Sequence, residues 1–246
     1  MVLIHTPLYL TYRASSMAQR IFIENNSNMT AFIWPFFHLS VSLHYTPYIY
    51  NMHTNDILIR PAITDDAPAI ASLIIQAMTE ECCAYFHGPN HSIDDFREMM
   101  IGLVKREDSQ YSYRNTICAI TVQGEVVGIS VSYDGSRLQT LRQVFLETAL
   151  HTFGIDHSGI PDETQAGELY LDSLAVKPSY QGQGIATKLL KATNEKAKQL
   201  GCGPLALLVD AGNPRAERLY LRCGFEYAGS NSWGGHPMRH LILREQ

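Results

Sequence analysis

The pattern of apolar and polar positions is hard to read over the first 55 residues and becomes legible from Asp56 onward. Ile57 to Arg60 reads as a short strand. Thr64 or Asp65 caps a helix running through Met78, with Ile70, Leu73, Ile74 and Ala77 at the spacing of one helix face. Asp94 to Lys105 reads as a second helix. Thr116 to Gln123 and Glu125 to Tyr133 are β-branched runs that meet at Gln123-Gly124, which predicts a hairpin. A helical stretch, Arg137 to Phe153, and a polar loop through Ala166 follow. Glu168 to Lys177 alternates as a strand, and Gly184 to Leu200 is a helix closed by Gly201. Leu205 to Asp210 is a buried strand, and Asn213 to Cys223 is a helix ended by Gly224. Phe225 to Ala228 and Met238 to Leu243 finish the pattern as strands, and no repeat runs through it.

The amino-terminal 55 residues stand apart. Asn25 to Asn55 carries no Asp, Glu, Lys or Arg and shows no clear period. The run Ala31 to Tyr45 is apolar, but Pro35, His38 and His44 interrupt it. It lies far from the amino terminus and lacks a basic flank and a small-residue cleavage site, which argues against a signal segment or a membrane span. Met52 opens a strand-like segment and is a second candidate start. The preferred expectation is an extension over residues 1–55 without a stable fold, or a start-site artefact, followed by one domain over 56–246.

Composition removes several function classes. Apolar residues make up 46% and charged residues 17%, as in an ordinary soluble domain. A net charge of −5, with the 19 Lys and Arg scattered, gives no electrostatic footprint for nucleic acid. The five cysteines, Cys82, Cys83, Cys118, Cys202 and Cys223, form no CxxC pair and no Cys/His spacing suited to zinc. They read as reduced thiols in a cytoplasm, and no metal site is expected.

The candidate chemistry sits after the Glu168 to Lys177 strand. Pro178-Ser179-Tyr180 leads into Gln181-Gly182-Gln183-Gly184-Ile185-Ala186, which opens a helix. A glycine-rich turn there leaves unpaired N–H groups at the positive end of the helix dipole, which suits an anion. The Walker pattern is absent, because no glycine stands five residues before Gly184. A dinucleotide fingerprint starting at Gly182 fails because Thr187 occupies the position of its third glycine.

Gln181 to Ala186 resembles the (R/Q)xxGx(G/A) acetyl-CoA loop of the GNAT N-acetyltransferase superfamily, with LAVKP before it. A second signature follows: Asn213, Ala216, Leu219-Tyr220 and Gly224-Phe225 are similar to that family's N…A…LY…GF segment. The resemblance implies an α/β (α+β) fold, with a mixed, mostly antiparallel, centrally splayed sheet flanked by helices on both faces. It implies an acetyl-CoA-dependent acyltransferase that moves acetyl to a primary amine by direct attack in a ternary complex, with acetyl-CoA as co-substrate.

By the same resemblance, the backbone of Gln181, Gly182, Gln183, Gly184, Ile185 and Ala186 holds the CoA pyrophosphate. Leu174, Ala175 and Val176 pair strand-like with the pantetheine arm, and Tyr220 gives a proton to the departing thiolate. A phenol near pKa 10 is protonated at neutral pH, whereas a thiol titrates near about 8.5. Asn213 is a helix N-cap before Pro214, and its amide can also reach the cofactor's arm.

An alkylamine with a pKa near about 10.4 is neutral in roughly one molecule per thousand at physiological pH, so its acetylation calls for a base. Glu168 and Asp172, on one strand face with Tyr170 between them, are the candidates; a water chain is the alternative. A non-catalytic acyl-CoA-binding module is the rival reading, which Tyr220 argues against. The acceptor stays open among a polyamine, an amino sugar, an amino acid and a protein amino terminus, and a homodimer is compatible with the sequence.

One departure from the family stands out. Residues 135–167 intervene where the family joins its third and fourth strands tightly. Leu138, Leu141, Phe145, Thr148 and Phe153 form a stripe for burial, which leaves Glu147, Asp156, Asp162 and Glu163 outward. The segment reads equally as an acceptor-site lid and as padding of the sheet. Lys188 and Lys191 are candidates for the ribose phosphate, and His236, Pro237 and Met238 for the border of the acceptor pocket.

Overall fold

The structure, a computed structural model, describes residues 9–10, 21–22 and 56–244, and the chain divides into units 1–50 and 51–246. In the first unit Tyr9–Leu10 pairs antiparallel with Ile21–Phe22. The apolar run Ala31 to Tyr45 and the rest of the expected extension lie outside the described residues. No helix among the described residues is long and apolar enough to cross a membrane.

The second unit holds a seven-stranded sheet. Its strands are β1 (Ile57–Pro61), β2 (Thr116–Thr121), β3 (Val126–Asp134), β4 (Leu169–Val176), β5 (Leu205–Asp210), β6 (Phe225–Trp233) and β7 (His236–Leu243). They lie in the order β1-β2-β3-β4-β5-β7-β6, and every pair is antiparallel except β4 with β5. That parallel ladder pairs only Leu169↔Leu205 and Tyr170↔Ala206. Beyond it β4 stays on β3 as far as Gly128↔Val176, and β5 stays on β7 as far as Asp210↔Met238. Each strand is held to its outer neighbour, so the two part and leave a slot through the sheet.

Four helices cover one face: α1 (Ala67–Ala77), α2 (Glu80–His87), α3 (Ile93–Lys105) and α4 (Leu138–Phe153). The helices α5 (Ile185–Leu200) and α6 (Pro214–Arg222) cover the other. The expected fold, a splayed and mostly antiparallel sheet between helical layers, is borne out. Ile185, Leu189 and Leu190 of α5 are almost fully buried, and each contributes about 1.5–3 kcal/mol. Gly128 of β3 lets α5 lie close: a Cβ there would stand 3.1 Å from Ala175 O and 3.2 Å from Leu189 Cδ1.

Several local features differ from the sequence expectation. Asp66 accepts two hydrogen bonds from Arg60, at 2.7 and 2.8 Å, and one from Ile63 N–H at 2.8 Å. Residues Thr64–Asp66 therefore form a 3₁₀ turn before α1 begins. The helix α2 was not expected; Thr79 caps it by accepting from Cys82 N–H at 3.0 Å. Strand β6 extends to Trp233, because Gly234 and Gly235, with φ of 59° and 81°, close a tight hairpin onto His236.

Segment 135–167, expected from the sequence to be an insertion, contributes to the core. Leu138, Leu141, Arg142, Phe145, Ala149 and Phe153 of α4 are buried, with Ala149 in the place expected of Thr148. Phe145 stacks edge-on against Phe86 of α2, with ring centroids 4.9 Å apart. Glu163, expected to face outward, is instead buried against Arg142. A guanidinium that is itself buried draws a carboxylate inward, because leaving either charge unpaired there is costly.

Candidate active site

The glycine-rich loop begins where β4 ends, past a short 3₁₀ turn at Pro178–Tyr180. Gly182 and Gly184 both adopt φ of +76°, a region that disfavours other residues, and a Cβ on either would point into open space. The first backbone bond of α5 runs from Lys188 N–H to Gly184 O at 3.1 Å. The N–H groups of Ile185, Ala186 and Thr187 thus have no helical carbonyl to meet, and they stand at the positive end of a 16-residue helix. Side chains fix the loop's base. Gln181 Nε2 donates to Val176 O at 3.1 Å, Gln76 Nε2 donates to the same oxygen at 3.0 Å, and Arg215 of α6 donates to Gln181 Oε1 at 3.4 Å.

Leu174, Ala175 and Val176 pair with Ser130, Ile129 and Gly128 on one edge only. Their other edge faces the slot, where β5 has turned away. A cleft of about 880 Å³ opens between α5 and α6, lined by Lys191, Lys198, Arg222 and Arg244 together with Thr187 and Cys223. Lys188 is exposed and is not among the residues lining it.

Asn213 caps α6: its side-chain oxygen accepts from Ala216 N–H at 3.1 Å, and Pro214 fills the first helical position. Tyr220 lies two turns further on, half-buried and edge-on to Phe225 with centroids 5.6 Å apart. Burial pushes its phenol up to about 12. It belongs to the apolar cluster under α5 and α6.

Strand β4 contains a bulge. Val131 pairs with Ser173 and Ser132 with Leu171, so Asp172 is the extra residue. Leu169, Leu171 and Leu174 belong to the cluster under α5 and α6, and Val176 packs beneath α5. Asp172 and Ser173 therefore fall together on the opposite face, the one covered by α1 to α4. Asp172 Oδ2 accepts from Tyr133 Oη at 3.2 Å and from Gln110 Nε2 at 3.4 Å, and Oδ1 accepts from Ser173 Oγ at 2.8 Å. Burial raises its pKa, and it outweighs these donors and the charge of Arg142.

Glu168 lies on the same face just before β4 but in a different setting. It accepts from Thr164 Oγ1 at 2.5 Å and from His240 Nε2 of β7 at 2.9 Å. Burial opposes its ionisation, yet the His240 and Thr164 hydrogen bonds prevail and its pKa is lowered. His240 is raised in turn by its bond to Glu168. The two carboxylates matched by sequence are thus unlike. Glu168 is hydrogen-bonded by His240 and Thr164 so that its ionised form is favoured, whereas Asp172 is held by neutral donors with a raised proton affinity.

The sequence reading missed the polar group around Asp172. Tyr133, 2% exposed, places its Oη 3.1 Å from Glu163 Oε1, and Arg142 pairs with Glu163 and, at 3.0 Å, with Asp162. Tyr111 and Tyr170 line the same region, and burial raises the phenols of Tyr111, Tyr133 and Tyr170 well above the usual range. Among the described residues no group of His, Cys, Asp and Glu is placed to hold a metal ion.

The Acetyltransferase (GNAT) family profile matches residues 76–225, more than half of the chain. The chain belongs to the GNAT acetyltransferase family. Two solved GNAT-fold structures resemble it. One, described as an acetyltransferase, has a TM-score of 0.63 and 29% identity over 75% of this chain and 97% of its own. The other, an N-acetyltransferase from Staphylococcus aureus Mu50, has a TM-score of 0.62 and 25% identity over 76% and 100%.

Curated relatives align over a shorter stretch. An acetyltransferase of Agrobacterium fabrum is 42% identical over 72 residues, which is 29% of this chain and 51% of the relative. The thialysine N-epsilon-acetyltransferase of Sus scrofa is 41% identical over 78 residues, or 31% and 46%. The spermine/spermidine N(1)-acetyltransferase of Bacillus subtilis is 32% identical over 78 residues, or 31% and 51%. The aligned stretch spans about half the length of these relatives.

Proposed function

We propose that this GNAT chain transfers acetyl from acetyl-CoA to a primary alkylamine by direct attack, with the two substrates meeting in the slot between β4 and β5. The observation that carries the reading is the division of groups across the sheet. The anion-binding loop and Tyr220 lie on the α5/α6 side, Asp172 lies on the other side, and the parting of the strands connects them.

In this reading the N–H groups from Gln181 to Ala186 hold the pyrophosphate, and the cations of the α5/α6 cleft take the nucleotide end. The free edge of Leu174, Ala175 and Val176 pairs with the pantetheine arm, and the Asn213 amide assists there. A backbone N–H of that edge polarises the thioester carbonyl, while fixing both reactants supplies most of the acceleration. Asp172 takes a proton from the ammonium, the nitrogen lone pair attacks the carbonyl, and Tyr220 protonates the leaving sulfur. Glu168, engaged by His240, is assigned to holding β4 against β7.

The relatives named for spermine, spermidine and thialysine support a flexible primary amine as acceptor. The test is thiol release from acetyl-CoA by the full chain with spermine, thialysine or a peptide bearing a free amino terminus. Amine-dependent release that falls about 10²-fold or more in Tyr220→Phe and Asp172→Asn supports the assignment. CoA binding without release on any amine overturns it in favour of an acyl-CoA-binding module.

A further inference from the structure

We propose that Glu163, supplied by the segment inserted between β3 and β4, completes a proton relay with Tyr133 and Asp172 that draws the acceptor amine's proton away from the reacting nitrogen. The proposal rests on Asp172 being the base. Glu163 does not touch the acceptor, so it is a positioning residue acting through Tyr133.

The geometry poses a question of hydrogen count. Tyr133 Oη lies 3.2 Å from Asp172 Oδ2 and 3.1 Å from Glu163 Oε1. A phenol has one hydrogen, so with both carboxylates ionised only one of these contacts can be a hydrogen bond. The other then sets a lone pair against a carboxylate in a site where water does not screen it. One added proton fills both contacts: Glu163 donates to the phenol oxygen and the phenol donates to Asp172. The trio is thus short by one proton, the one that a protonated amine must lose.

The surroundings favour loading at the Glu163 end. Glu163 is 8% exposed, and burial together with the charge of Asp172 raises it to about 7 against the opposing pull of Arg142 and Tyr133. The charged and titratable groups facing the trio are Arg142 and Asp162 of the inserted segment, Tyr170 of β4, Tyr111 before β2 and Cys82 of α2.

One orphaned polar atom on a buried side chain lies beside Asp172. Gln110, 4% exposed, donates from Nε2 to Asp172 while its Oε1 is buried without a partner. That oxygen offers a second acceptor beside Asp172, as a primary ammonium requires. Trp233 Nε1 is also buried without a partner; it lies near enough to Glu163 to favour its ionised form, yet closes no hydrogen bond.

The step balances. An ammonium N–H breaks and leaves its electron pair on nitrogen, as an O–H bond forms on Asp172. That proton passes to Tyr133 Oη while the phenol's own hydrogen passes to Glu163, which restores the Asp172 carboxylate. The nitrogen then forms the C–N bond, the C–S electron pair goes to sulfur with a proton from Tyr220, and the phenolate of Tyr220 regains the proton shed by the new amide nitrogen. The proton on Glu163 leaves to solvent with the product.

The test compares wild type, Glu163→Gln, Tyr133→Phe and Asp172→Asn of the full chain in two measurements. One is kcat/KM against pH with spermine and with thialysine. The other is an infrared pH titration of protonated carboxyl groups without substrate, which needs no turnover. The relay requires a carboxyl band titrating near pH 7 that is absent from Glu163→Gln and displaced in Tyr133→Phe. It also requires both variants to lose about 10²-fold in kcat, with the acid limb moved to lower pH and the KM for acetyl-CoA unchanged.

Wild-type acid limbs in both variants, or a wild-type band in Glu163→Gln, overturn the relay even if Glu163→Gln lowers the melting temperature through Arg142. Full activity in Asp172→Asn instead sinks the underlying site assignment, so the two failures are distinguishable.

Discussion

The Glu168–His240 pair makes a testable link between sequence-distant elements and pH. Glu168 Oε2 and His240 Nε2 are 2.9 Å apart, with side chains 6% and 20% exposed, and they tie the start of β4 to β7 across β5. A hydrogen bond between charged groups contributes about 1.5–3 kcal/mol, and the partial exposure of His240 places this pair toward the lower end. His240 is raised above its ordinary 6.5, so its share is fully present below that pH and is lost as pH rises through the folded value. Glu168 is held below its ordinary 4.5, so its share is present above that pH and is lost as pH falls through the folded value. The coupling therefore has a plateau between about pH 4.5 and 6.5 and declines on both sides. The assay is a double-mutant cycle of Glu168→Gln and His240→Gln in urea denaturation at pH 4, 6 and 9. The expected coupling is about 1–2 kcal/mol at pH 6 and less than half of that at pH 9. A coupling equal at pH 6 and 9, or larger at pH 9, would refute the reasoning.

Three further outcomes follow from single positions. Gly135→Ala would set a Cβ 2.0 Å from Gln165 O, where the inserted segment returns; a loss of about 1–3 kcal/mol is expected in urea denaturation. Gly184→Ala forces an alanine into φ of +76° at the mouth of α5; it should cost about 1–2 kcal/mol and weaken acetyl-CoA binding in calorimetry, with the fold intact by circular dichroism. Lys196 donates to Ser132 O, Ser132 Oγ and Asn115 O, and burial lowers it to about 8. At Lys196 the unfolded chain therefore binds more protons between pH 8 and 10.5, so in urea denaturation wild type should gain stability relative to Lys196→Met as pH rises over that window, whatever slope the buried thiols and phenols give both proteins.

The legible part of the site is the part set by local backbone. The loop Gln181 to Ala186 and the cap at Asn213 declare themselves because glycine at positive φ and a side-chain cap are needs of the chain at those positions. The α5 boundaries were readable for the same reason, since Gly201 closes the helix at φ of 63°. The acceptor side was not legible, because its residues acquire meaning only from distant partners. Glu163 looks like a loop carboxylate until Arg142, 21 positions earlier, is seen to be buried beneath it. Asp172 and Glu168 look equivalent by alternation, yet burial prevails at Asp172 and raises its pKa, whereas the His240 and Thr164 hydrogen bonds prevail at Glu168 and lower its pKa. The Gly234-Gly235 turn was a local signal that could have extended β6 to Trp233.

The inserted segment and the bulge depend on each other. Alternation puts Asp172 on the face covered by α1 to α4, the bulge brings Ser173 onto the same face, and there the carboxylate needs donors to offset its desolvation. Ser173 is adjacent and Tyr133 stands on the neighbouring strand β3, while segment 135–167 braces Gln110 and Tyr133. Leu141 O of α4 accepts Gln110 N–H at 3.3 Å, which positions the amide that reaches Asp172. Arg142, one residue on, holds Glu163, whose carboxylate meets the same Tyr133 hydroxyl that reaches Asp172. Two independent routes therefore run from α4 to the same carboxylate. Shortening residues 135–167 to a tight turn would remove Phe145, Ala149 and Phe153 from the core, together with the Leu141 contact that holds Gln110 and the Glu163 contact at Tyr133. Segment 135–167 is thus tied to the residue on which the proposed chemistry depends.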